Sequence, residues 1–321
     1  MKVGVDVSPL ALTRAGTARY LRNLIRRLEV DVRALSFGGR GRFAVLAREL
    51  AWYPFWLSRM AAHQRLDVLH CPTYYGPLES SVPLVVTVHD LAVLRYPSAF
   101  PLWTRSYVPR VVPRVLHAAT RVIAVSEFTK RELVELLGLD DRKIRVVPNA
   151  VERAFTPEGA AADGDYVLAV GTLEPRKNLS RVAEAARRVG VELRVAGARG
   201  WGGVVPLGTW VGEVPDDELA RLYRGARCLV YPSLYEGFGI PVLEAMACGT
   251  PVVTSREGAT AEVADGAAVL VDPLDIRAIA LGIEEASARR DELRARGVER
   301  ARAFDWDDVA RRTADVYREV A

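Results

Sequence analysis

The strongest constraint on the fold is an alternation of short, continuously apolar segments with longer segments of helical periodicity. The apolar segments are rich in β-branched residues, as in Leu84-Val85-Val86-Thr87-Val88. Continuous apolar strands separated by helices are typical of parallel sheets covered on both faces. The sequence therefore predicts an α/β fold with strands at 3–7, 68–70, 84–88, 122–125, 144–147, 166–170, 193–196, 228–231, 252–254 and 268–271.

The alternation is interrupted once, between residues 151 and 165. Within that segment, residues 157–164 have the Pro, Gly and Ala content of a linker, and the strand and helix pattern then starts again. A chain of 321 residues is longer than one domain usually is. We therefore predict two doubly wound domains, at 1–157 and 165–303. Ligands of such folds bind beyond the carboxyl ends of the strands, so substrate is expected between two domains that face each other across a cleft.

Charge is distributed unevenly along the chain. Residues 1–150 contain 22 Lys and Arg against 12 Asp and Glu, whereas the remainder contains 22 against 28. A basic half is typical of proteins with an anionic partner, such as a phosphate group, a nucleic acid or an anionic membrane surface. Composition alone leaves these three open.

The cysteines and the N-terminal residues indicate the cellular compartment of the protein. Three widely spaced cysteines favour a reducing compartment and argue against a structural zinc site. The N-terminus runs directly into a predicted strand, without the features of a signal peptide, and no apolar stretch approaches the ~18 residues that span a bilayer. We expect a cytoplasmic protein, or one on the inner face of the membrane.

The segment 235–253, Tyr-Glu-Gly-Phe-Gly-Ile-Pro-Val-Leu-Glu-Ala-Met-Ala-Cys-Gly-Thr-Pro-Val-Val, is the most informative motif. Its glycines open a turn after a predicted strand, and Pro241 suits the first turn of a helix. The N-terminus of that helix offers backbone N–H groups to a phosphate. Glu236 and Glu244 lie on either side of it, and carboxylates only accept hydrogen bonds. Each could hold a diol of a sugar or ribose; the alternative is a turn cap at Glu236 and a solvated helix position at Glu244.

This motif resembles that of glycosyltransferase family 4, and the resemblance covers nearly the whole chain. It implies the GT-B fold, two Rossmann-like domains facing across a cleft, with a C-terminal helix at 304–321 that crosses back to the N-terminal domain. It also implies that Glu236 contacts the hydroxyls of the donor sugar and Glu244 the ribose of the nucleotide. The expected donor-binding turn consists of Gly237, Phe238, Gly239 and Ile240.

A second segment, 171–178 (Gly-Thr-Leu-Glu-Pro-Arg-Lys-Asn), matches the donor-phosphate motif of the family. Arg176 and Lys177 follow a predicted strand, where two cations can neutralise a leaving diphosphate and offset repulsion from the two glutamates. Thr172 occupies the position at which many members have arginine, so more of the phosphate contact is expected to fall to Arg176. Without the family motif, such a pair would be read as a solvated turn.

The resemblance assigns three further positions. His89 ends the strand 84–88; in the family its backbone carbonyl faces the anomeric carbon and its ring contacts the sugar 6-hydroxyl. Gly16 lies in a glycine loop near the donor phosphates or acceptor, although a simple turn glycine is the alternative. Val214 lies in the loop whose backbone binds the nucleobase. His70, at the end of another strand, is predicted to line the cleft or to pack.

These assignments predict a retaining glycosyltransferase that moves a hexose from a nucleotide diphosphate sugar to a hydroxyl of a glycan, lipid-linked or small-molecule acceptor. The Glu-Pro-Arg-Lys-Asn variant resembles that of mannosyl- or rhamnosyl-type transferases of polysaccharide assembly, and this resemblance favours a mannose-type sugar. No metal or other cofactor is expected: Asp305-Trp306-Asp307 spells a metal-binding motif of another class, but acidic residues also suit a helix start. The alternatives are a nucleotide-sugar 2-epimerase and a non-enzymatic anion- or nucleic-acid-binding protein, although we expect no nucleic acid. A dehydrogenase is disfavoured because no Gly-x-Gly-x-x-Gly follows a strand.

An aromatic stretch at 50–57, Leu-Ala-Trp-Tyr-Pro-Phe-Trp-Leu, lies among five arginines between positions 40 and 65. Indole and phenol rings favour the membrane interface, and nearby arginines bind anionic lipid surfaces. The stretch therefore predicts peripheral membrane contact through the N-terminal domain. Alternatively, these aromatic rings pack a helix against the first sheet. Pro54 argues against a long uninterrupted helix here.

Overall fold

The computed structural model describes the whole chain except residues 13–15, 40, 201 and 206, and it describes only the backbone of Leu12 and Arg42. The chain divides into two compact units. The first comprises Met1–Arg95, Pro101–Asn149 and Trp306–Ala321, and the second comprises Tyr96–Phe100 and Ala150–Asp305. The predicted limits at 157 and 165 fall inside the second unit.

The first unit contains a parallel sheet with the strand order β2-β1-β3-β4-β5-β6. Its strands are β1 Lys2–Asp6, β2 Asp31–Leu35, β3 Val68–Cys71, β4 Leu84–Val88, β5 Arg121–Ala124 and β6 Ile144–Val146. The direction in which strands are added reverses between β1 and β3, so ligands are expected beyond the carboxyl ends of these strands. The helices are α1 Pro9–Leu12, α2 Gly16–Arg27, α3 Arg42–Ala47, α4 Leu57–His63, α5 Ala92–Arg95, α6 Leu102–Ala118 and α7 Glu127–Leu137.

The second unit contains a parallel sheet with the order β12-β11-β10-β7-β8-β9. Its strands are β7 Tyr166–Val170, β8 Glu192–Ala196, β9 Thr209–Gly212, β10 Leu229–Tyr231, β11 Val252–Ser255 and β12 Val269–Val271. Counted from its own first strand, this is the Rossmann order, in which the direction reverses between β7 and β10. The helices are α8 Leu179–Val189, α9 Asp216–Gly225, α10 Ile240–Ala247, α11 Ala259–Ala264, α12 Ile276–Ala288 and α13 Arg290–Ala301.

Helical spacing of apolar residues determines how the helices cover the second sheet. In α8, Leu179, Val182 and Ala186 recur on one face, and all three are buried. They share a core with strand residues such as Val167 and Val195, which are fully buried. The inner strands are therefore apolar throughout, because both of their faces are covered.

The last helix, α14 Trp306–Arg318, packs against α2 in the first unit. Asp307 in its first turn forms an ion pair with Arg27 at the end of α2, with 3.0 Å between Oδ1 and Nε. The predicted return of the C-terminal helix is thus confirmed. Among the residues that the structure describes, no group of three His, Cys, Asp or Glu side chains is arranged to hold a metal ion.

The aromatic stretch of the first unit forms a π-helical segment, Arg48–Trp56, between α3 and α4. Pro54 lies inside it. Proline has no backbone N–H and interrupts the regular helical hydrogen bonds, and the π-helical turns lie at this interruption. Trp52 and Tyr53 are buried, so for these two rings the packing alternative applies. Phe55 and Trp56 are more than half exposed. No helix in the described part of the chain has the length and hydropathy to cross a membrane.

Candidate active site

The reversal point of the second sheet brings the two predicted donor motifs together. The segment after β7 carries Arg176 and Lys177 on a 3-10 turn, Pro175–Lys177, and the segment after β10 carries Glu236. Parallel strands end at the same edge of a sheet, and β7 and β10 are neighbours. Gly171 begins the first segment with φ of 138°, and a Cβ atom there would lie 3.1 Å from Cε of Lys177. Glycine at this position leaves room for the lysine.

The carboxylate of Glu236 is held by three donors. Its Oε1 accepts hydrogen bonds from Nζ of Lys177 at 2.6 Å and from the hydroxyl of Tyr231 at 2.8 Å. Its Oε2 accepts from Nη1 of Arg176 at 2.9 Å. Burial alone would raise the pKa of Glu236, but the charges of Lys177 and Arg176 hold it at about 2. The carboxylate is therefore ionised at neutral pH.

Two residues of this cluster were not assigned roles from the sequence. Glu174 is buried and accepts from Nη2 of Arg176 at 2.8 Å. Burial raises the pKa of Glu174, and the charges of Arg176 and Lys177 oppose that rise. Tyr231, the last residue of β10, accepts from Nζ of Lys177 at 2.6 Å as well as donating to Glu236. Two features of the sequence could have indicated them: Glu174 lies beside two basic residues, and Tyr231 has a hydroxyl group at the end of a predicted strand.

The turn between β10 and α10 requires glycine at its last position. Gly239 has φ of 109°, and a Cβ atom there would lie 2.9 Å from Cγ2 of Thr260. No side chain caps the N-terminus of α10, and the positive end of this helix together with the N–H of Ile240 suits an anion. The ring of Phe238 is buried against Phe304, with 5.8 Å between ring centroids. The backbone of 237–240, rather than this ring, is what the turn can offer to a ligand.

Glu244 lies within α10 and is buried, which rules out the solvated alternative. Its Oε2 accepts a hydrogen bond from the hydroxyl of Tyr223 at 3.0 Å. Val214 is half-buried between β9 and α9, beyond the carboxyl end of β9. The second unit thus places Arg176, Lys177, the turn 237–240 and Val214 after the carboxyl ends of its strands, and Glu244 in the second turn of α10.

In the first unit, His89 follows β4 directly. Its Nε2 lies 3.0 Å from the carbonyl oxygen of Pro72, and a carbonyl only accepts, so this nitrogen carries the proton. Burial lowers the pKa of His89, although the Pro72 carbonyl and the charge of Asp90 oppose the shift. The ring is therefore neutral at pH 7, and its Nδ1 is a hydrogen-bond acceptor. The ring of Tyr20 packs against it at nearly a right angle, with 4.8 Å between centroids.

The other positions predicted in the first unit have different outcomes. Gly16 is the first residue of α2 and is half-buried, while residues 13–15 of the predicted glycine loop lie outside the described residues. His70 is completely buried, as the packing alternative predicted, and does not line a cleft. Asp90 accepts a hydrogen bond from the backbone N–H of Ala92 at 2.9 Å and so begins α5.

Known families and proteins match the chain along most of its length. A model described as Glycosyltransferase Family 4 matches residues 3–155, and one described as Glycosyl transferases group 1 matches 208–304. O-antigen chain mannosyltransferase B of Escherichia coli is 32% identical over 284 residues, which cover 78% of this chain and 74% of that protein. The chain belongs to glycosyltransferase family 4. A D-inositol 3-phosphate glycosyltransferase of Acidothermus cellulolyticus is 30% identical, over 91% of this chain and 72% of that protein.

Solved structures of this family's architecture superpose on nearly the whole chain. Sucrose-phosphate synthase from Thermosynechococcus elongatus has a TM-score of 0.77 and 20% identity, covering 99% of this chain and 98% of the other. Anabaena HepE in complex with UDP-glucose has a TM-score of 0.74 and 16% identity, covering 99% and 100%. The predicted GT-B fold is confirmed, and this family 4 protein is a hexosyltransferase.

Proposed function

We propose that this glycosyltransferase moves a hexose from a nucleotide diphosphate sugar to an acceptor hydroxyl with retention of anomeric configuration. The observation that carries the proposal is the ionised carboxylate of Glu236, held by Lys177, Arg176 and Tyr231 at the reversal point of the second sheet. A fixed carboxylate at that edge suits the hydroxyls of a sugar, because it accepts hydrogen bonds and cannot donate them. Cations beside it suit a diphosphate.

The two cations have different tasks in this proposal. The guanidinium of Arg176 already donates to Glu174, Glu236 and the carbonyl oxygen of Tyr235, the last at 3.0 Å. The ammonium of Lys177 has three N–H groups, and its contacts with Tyr231 and Glu236 use two of them. In this proposal Lys177 contacts the diphosphate directly, while Arg176, which binds both carboxylates, also holds them in place.

The leaving group is stabilised electrostatically. Lys177 and the N-terminus of α10 face the oxygens on which negative charge develops as the glycosidic bond breaks. The acceptor hydroxyl attacks the anomeric carbon on the side of the leaving group, and a phosphate oxygen takes its proton. No covalent nucleophile and no metal ion are required. Glu244 holds the ribose, and the loop at Val214 holds the base.

His89 serves the donor sugar from the first unit. Its neutral ring, protonated at Nε2 by the contact with Pro72, leaves Nδ1 to accept a hydrogen bond. That atom suits the sugar 6-hydroxyl, and the backbone carbonyl of His89 faces the anomeric carbon. Gly16 lets the chain approach the donor phosphates or the acceptor. A mannose-type donor is favoured by the mannosyltransferase relative and by the Glu-Pro-Arg-Lys-Asn segment.

A thermal-shift screen of nucleotide sugars followed by product analysis tests this proposal. A true donor at 100 times its dissociation constant stabilises the protein by ~2.7 kcal/mol. The glycosidic product formed with that donor should keep the anomeric configuration of the donor, with the same rate in chelator. An inverted product contradicts retention, and strict dependence on manganese contradicts the metal-free mechanism. Release of the nucleotide and an altered free sugar, without acceptor, indicates the epimerase.

We also propose that the first unit meets an anionic membrane and that the acceptor is lipid-linked. Seven large apolar side chains around the π-helical segment are exposed, and we call them the apolar patch: Phe43, Leu46, Leu50, Phe55, Trp56, Leu102 and Trp103. Trp103 at the start of α6 donates to the carboxylate of Glu49 at 2.6 Å, which ties α6 to the π-helical segment. Residues 40–65 and α6 together carry eight arginines and one acidic residue. Exposed aromatic rings with nearby arginines suit an anionic lipid interface.

A further inference from the structure

A buried polar network crosses the first unit from its last helix to its central strands. The hydroxyl of Tyr317 in α14 lies 2.7 Å from Nδ1 of His70 in β3. Nε2 of His70 lies 2.9 Å from Oγ1 of Thr87 in β4, and that oxygen lies 3.3 Å from the hydroxyl of Tyr20 in α2. All four side chains, which we call the Tyr317 network, are at most 2% exposed. It joins residues 247 positions apart in sequence.

A second hydroxyl of α14, that of Thr313, lies beside the Tyr317 network. Thr313 donates its hydroxyl proton to the carbonyl oxygen of Val309 at 2.7 Å, and it interacts with the hydroxyl of Tyr20. Tyr20 therefore interacts both with Thr87 of the first sheet and with α14.

His70 joins the two halves of the network. Burial lowers the pKa of His70 to about 3, so its ring is neutral, with one nitrogen that donates and one that accepts. These two nitrogens face the hydroxyls of Tyr317 and Thr87, so the network connects α14 to both central strands.

Tyr20 links the network to His89. Its hydroxyl is held by Thr87 and faces Thr313, while its ring packs against the ring of His89 at 80° and 4.8 Å and lies 6.0 Å from Trp306 of α14. The hydrogen bond between His89 and the carbonyl oxygen of Pro72 fixes the position of Nε2. By itself it does not fix the plane of the ring, which can still rotate about this hydrogen bond. The ring of Tyr20 blocks this motion.

We infer that Tyr20 is a positioning residue for His89 and that α14 holds Tyr20 in place through Tyr317 and the rest of the network. The inference rests on the proposed function, because the role of His89 in transfer is part of that proposal. Misplacing a reacting group by about 1 Å costs on the order of 100-fold in rate. The C-terminal helix thereby contributes to the geometry of a site whose residues lie more than 200 positions earlier in the chain.

The variants Tyr317→Phe and Tyr20→Phe test the inference by two independent readouts. Each keeps the ring and removes one hydroxyl. In transfer assays both should lower kcat by about tenfold, with the KM for the donor within twofold of the parent value. In nitrogen NMR spectra of the imidazole groups, the signals of His89 should move in both variants. The chain has four histidines, and His63→Gln and His117→Gln help to assign them.

Tyr166→Phe is the matched control. The hydroxyl of Tyr166 is also buried and donates at 2.7 Å, to the carbonyl oxygen of Leu222, but in the second unit. It should lower Tm as the other two variants do and leave the His89 signals and kcat unchanged. Unmoved His89 signals with normal kcat in a folded Tyr20→Phe protein overturn the inference. The NMR readout needs no substrate, so a protein that transfers no sugar would refute the proposed function while this test still stands.

Discussion

The carboxyl edges of the two sheets are built from opposite chemistry. In the second unit the side chains beyond β7 and β10 are charged, with Glu174 and Glu236 paired to Arg176 and Lys177. In the first unit the groups in contact with the ring of His89 are uncharged, apart from the charge of Asp90 that acts on it, and hydrogen bonds link the neighbours of this ring. In each unit this edge is formed by the carboxyl ends of the strands of a six-stranded parallel sheet.

The difference reflects what each edge must hold. A diphosphate brings negative charge, so its site needs cations, and buried cations need carboxylates nearby because an unpaired buried charge is costly. A neutral imidazole that accepts one hydrogen bond needs a fixed tautomer and a fixed ring plane, which uncharged partners provide. Substitutions that remove charge from the second unit should therefore affect transfer more strongly than those that remove a hydroxyl from the first.

The largest effect is expected from the charged cluster. Glu236→Ala and Lys177→Ala should each slow transfer at least ~100-fold, the scale for removing one contact to developing charge. The measurement is kcat/KM with the donor found by the thermal-shift screen, on variants whose circular dichroism matches the parent protein. Glu184→Ala is the control, because Glu184 forms ion pairs with Arg187 and Arg188 on an exposed face. Near-normal turnover by a folded Lys177→Ala protein would contradict the phosphate assignment.

A smaller loss is expected from Tyr231→Phe. The hydroxyl of Tyr231 accepts from Lys177 and donates to Glu236, so its removal loosens both side chains without changing any charge. We expect kcat to fall about tenfold, between the charge variants and the parent. The same assay measures it. A loss as large as that of Glu236→Ala would mean that the hydroxyl itself contacts substrate, and no loss would mean that the two charges hold each other unaided.

The fold could be predicted from the sequence wherever strands are buried on both faces. Strands β4 and β7 were predicted with their observed bounds, because every residue in them is apolar or small and their ends are marked. The two strands that were not predicted, β2 and β9, are both edge strands. Their residues are mostly exposed or half-exposed, so they lack a continuous apolar run. Half-exposed strands have no such pattern to recognise.

The charged part of the candidate site could also be predicted, because its residues lie in two short motifs that each follow a strand. The Tyr317 network could not be predicted. Tyr20, Thr87, His70 and Tyr317 lie on four separate elements, and each is an ordinary residue in its own segment. Their role comes from tertiary contact between a first and a last helix, and no local spacing reports such a contact. Trp52 shows the same limit, since sequence does not distinguish a buried ring from the exposed ring of Trp56.

Acid should affect the two units over different pH ranges. The folded pKa of His70, about 3, lies below its ordinary 6.5, so this group stabilises the first unit above pH 6.5, and that contribution is lost as pH falls from 6.5 toward 3. For Glu236 the values are about 2 and 4.5, so the corresponding loss in the second unit begins near pH 4.5. Between pH 6 and 5 the first unit should lose roughly 1 kcal/mol of unfolding free energy.

Urea unfolding at pH 7, 6 and 5 measures this difference. Tryptophan fluorescence reports mainly on the first unit, which holds Trp52, Trp56, Trp103 and Trp306. His70→Gln should remove most of the dependence in this range, and His63→Gln, at an exposed position, should not. A parent protein with the same midpoint at pH 7 and pH 5 would show that His70 is not held neutral by the fold.

The smallest effect is expected on membrane binding. It tests whether the excess of basic residues in the N-terminal half leads to binding of an anionic lipid surface. The guanidinium of Arg59 lies 6.0 Å from the ring centroid of Trp56, at the edge of the apolar patch. An arginine near an anionic surface contributes ~1 kcal/mol, so Arg59→Gln should weaken sedimentation with vesicles of phosphatidylglycerol and phosphatidylcholine by about fivefold. Trp56→Ser should weaken it as well.

Arg187→Gln is the control: it removes the same charge from the exposed face of a helix in the second unit and should have little effect. Binding should also fall with added salt, because exposed charges are screened. Equal recovery in the supernatant with neutral and anionic vesicles at low salt would refute the membrane proposal and leave the apolar patch without a lipid partner.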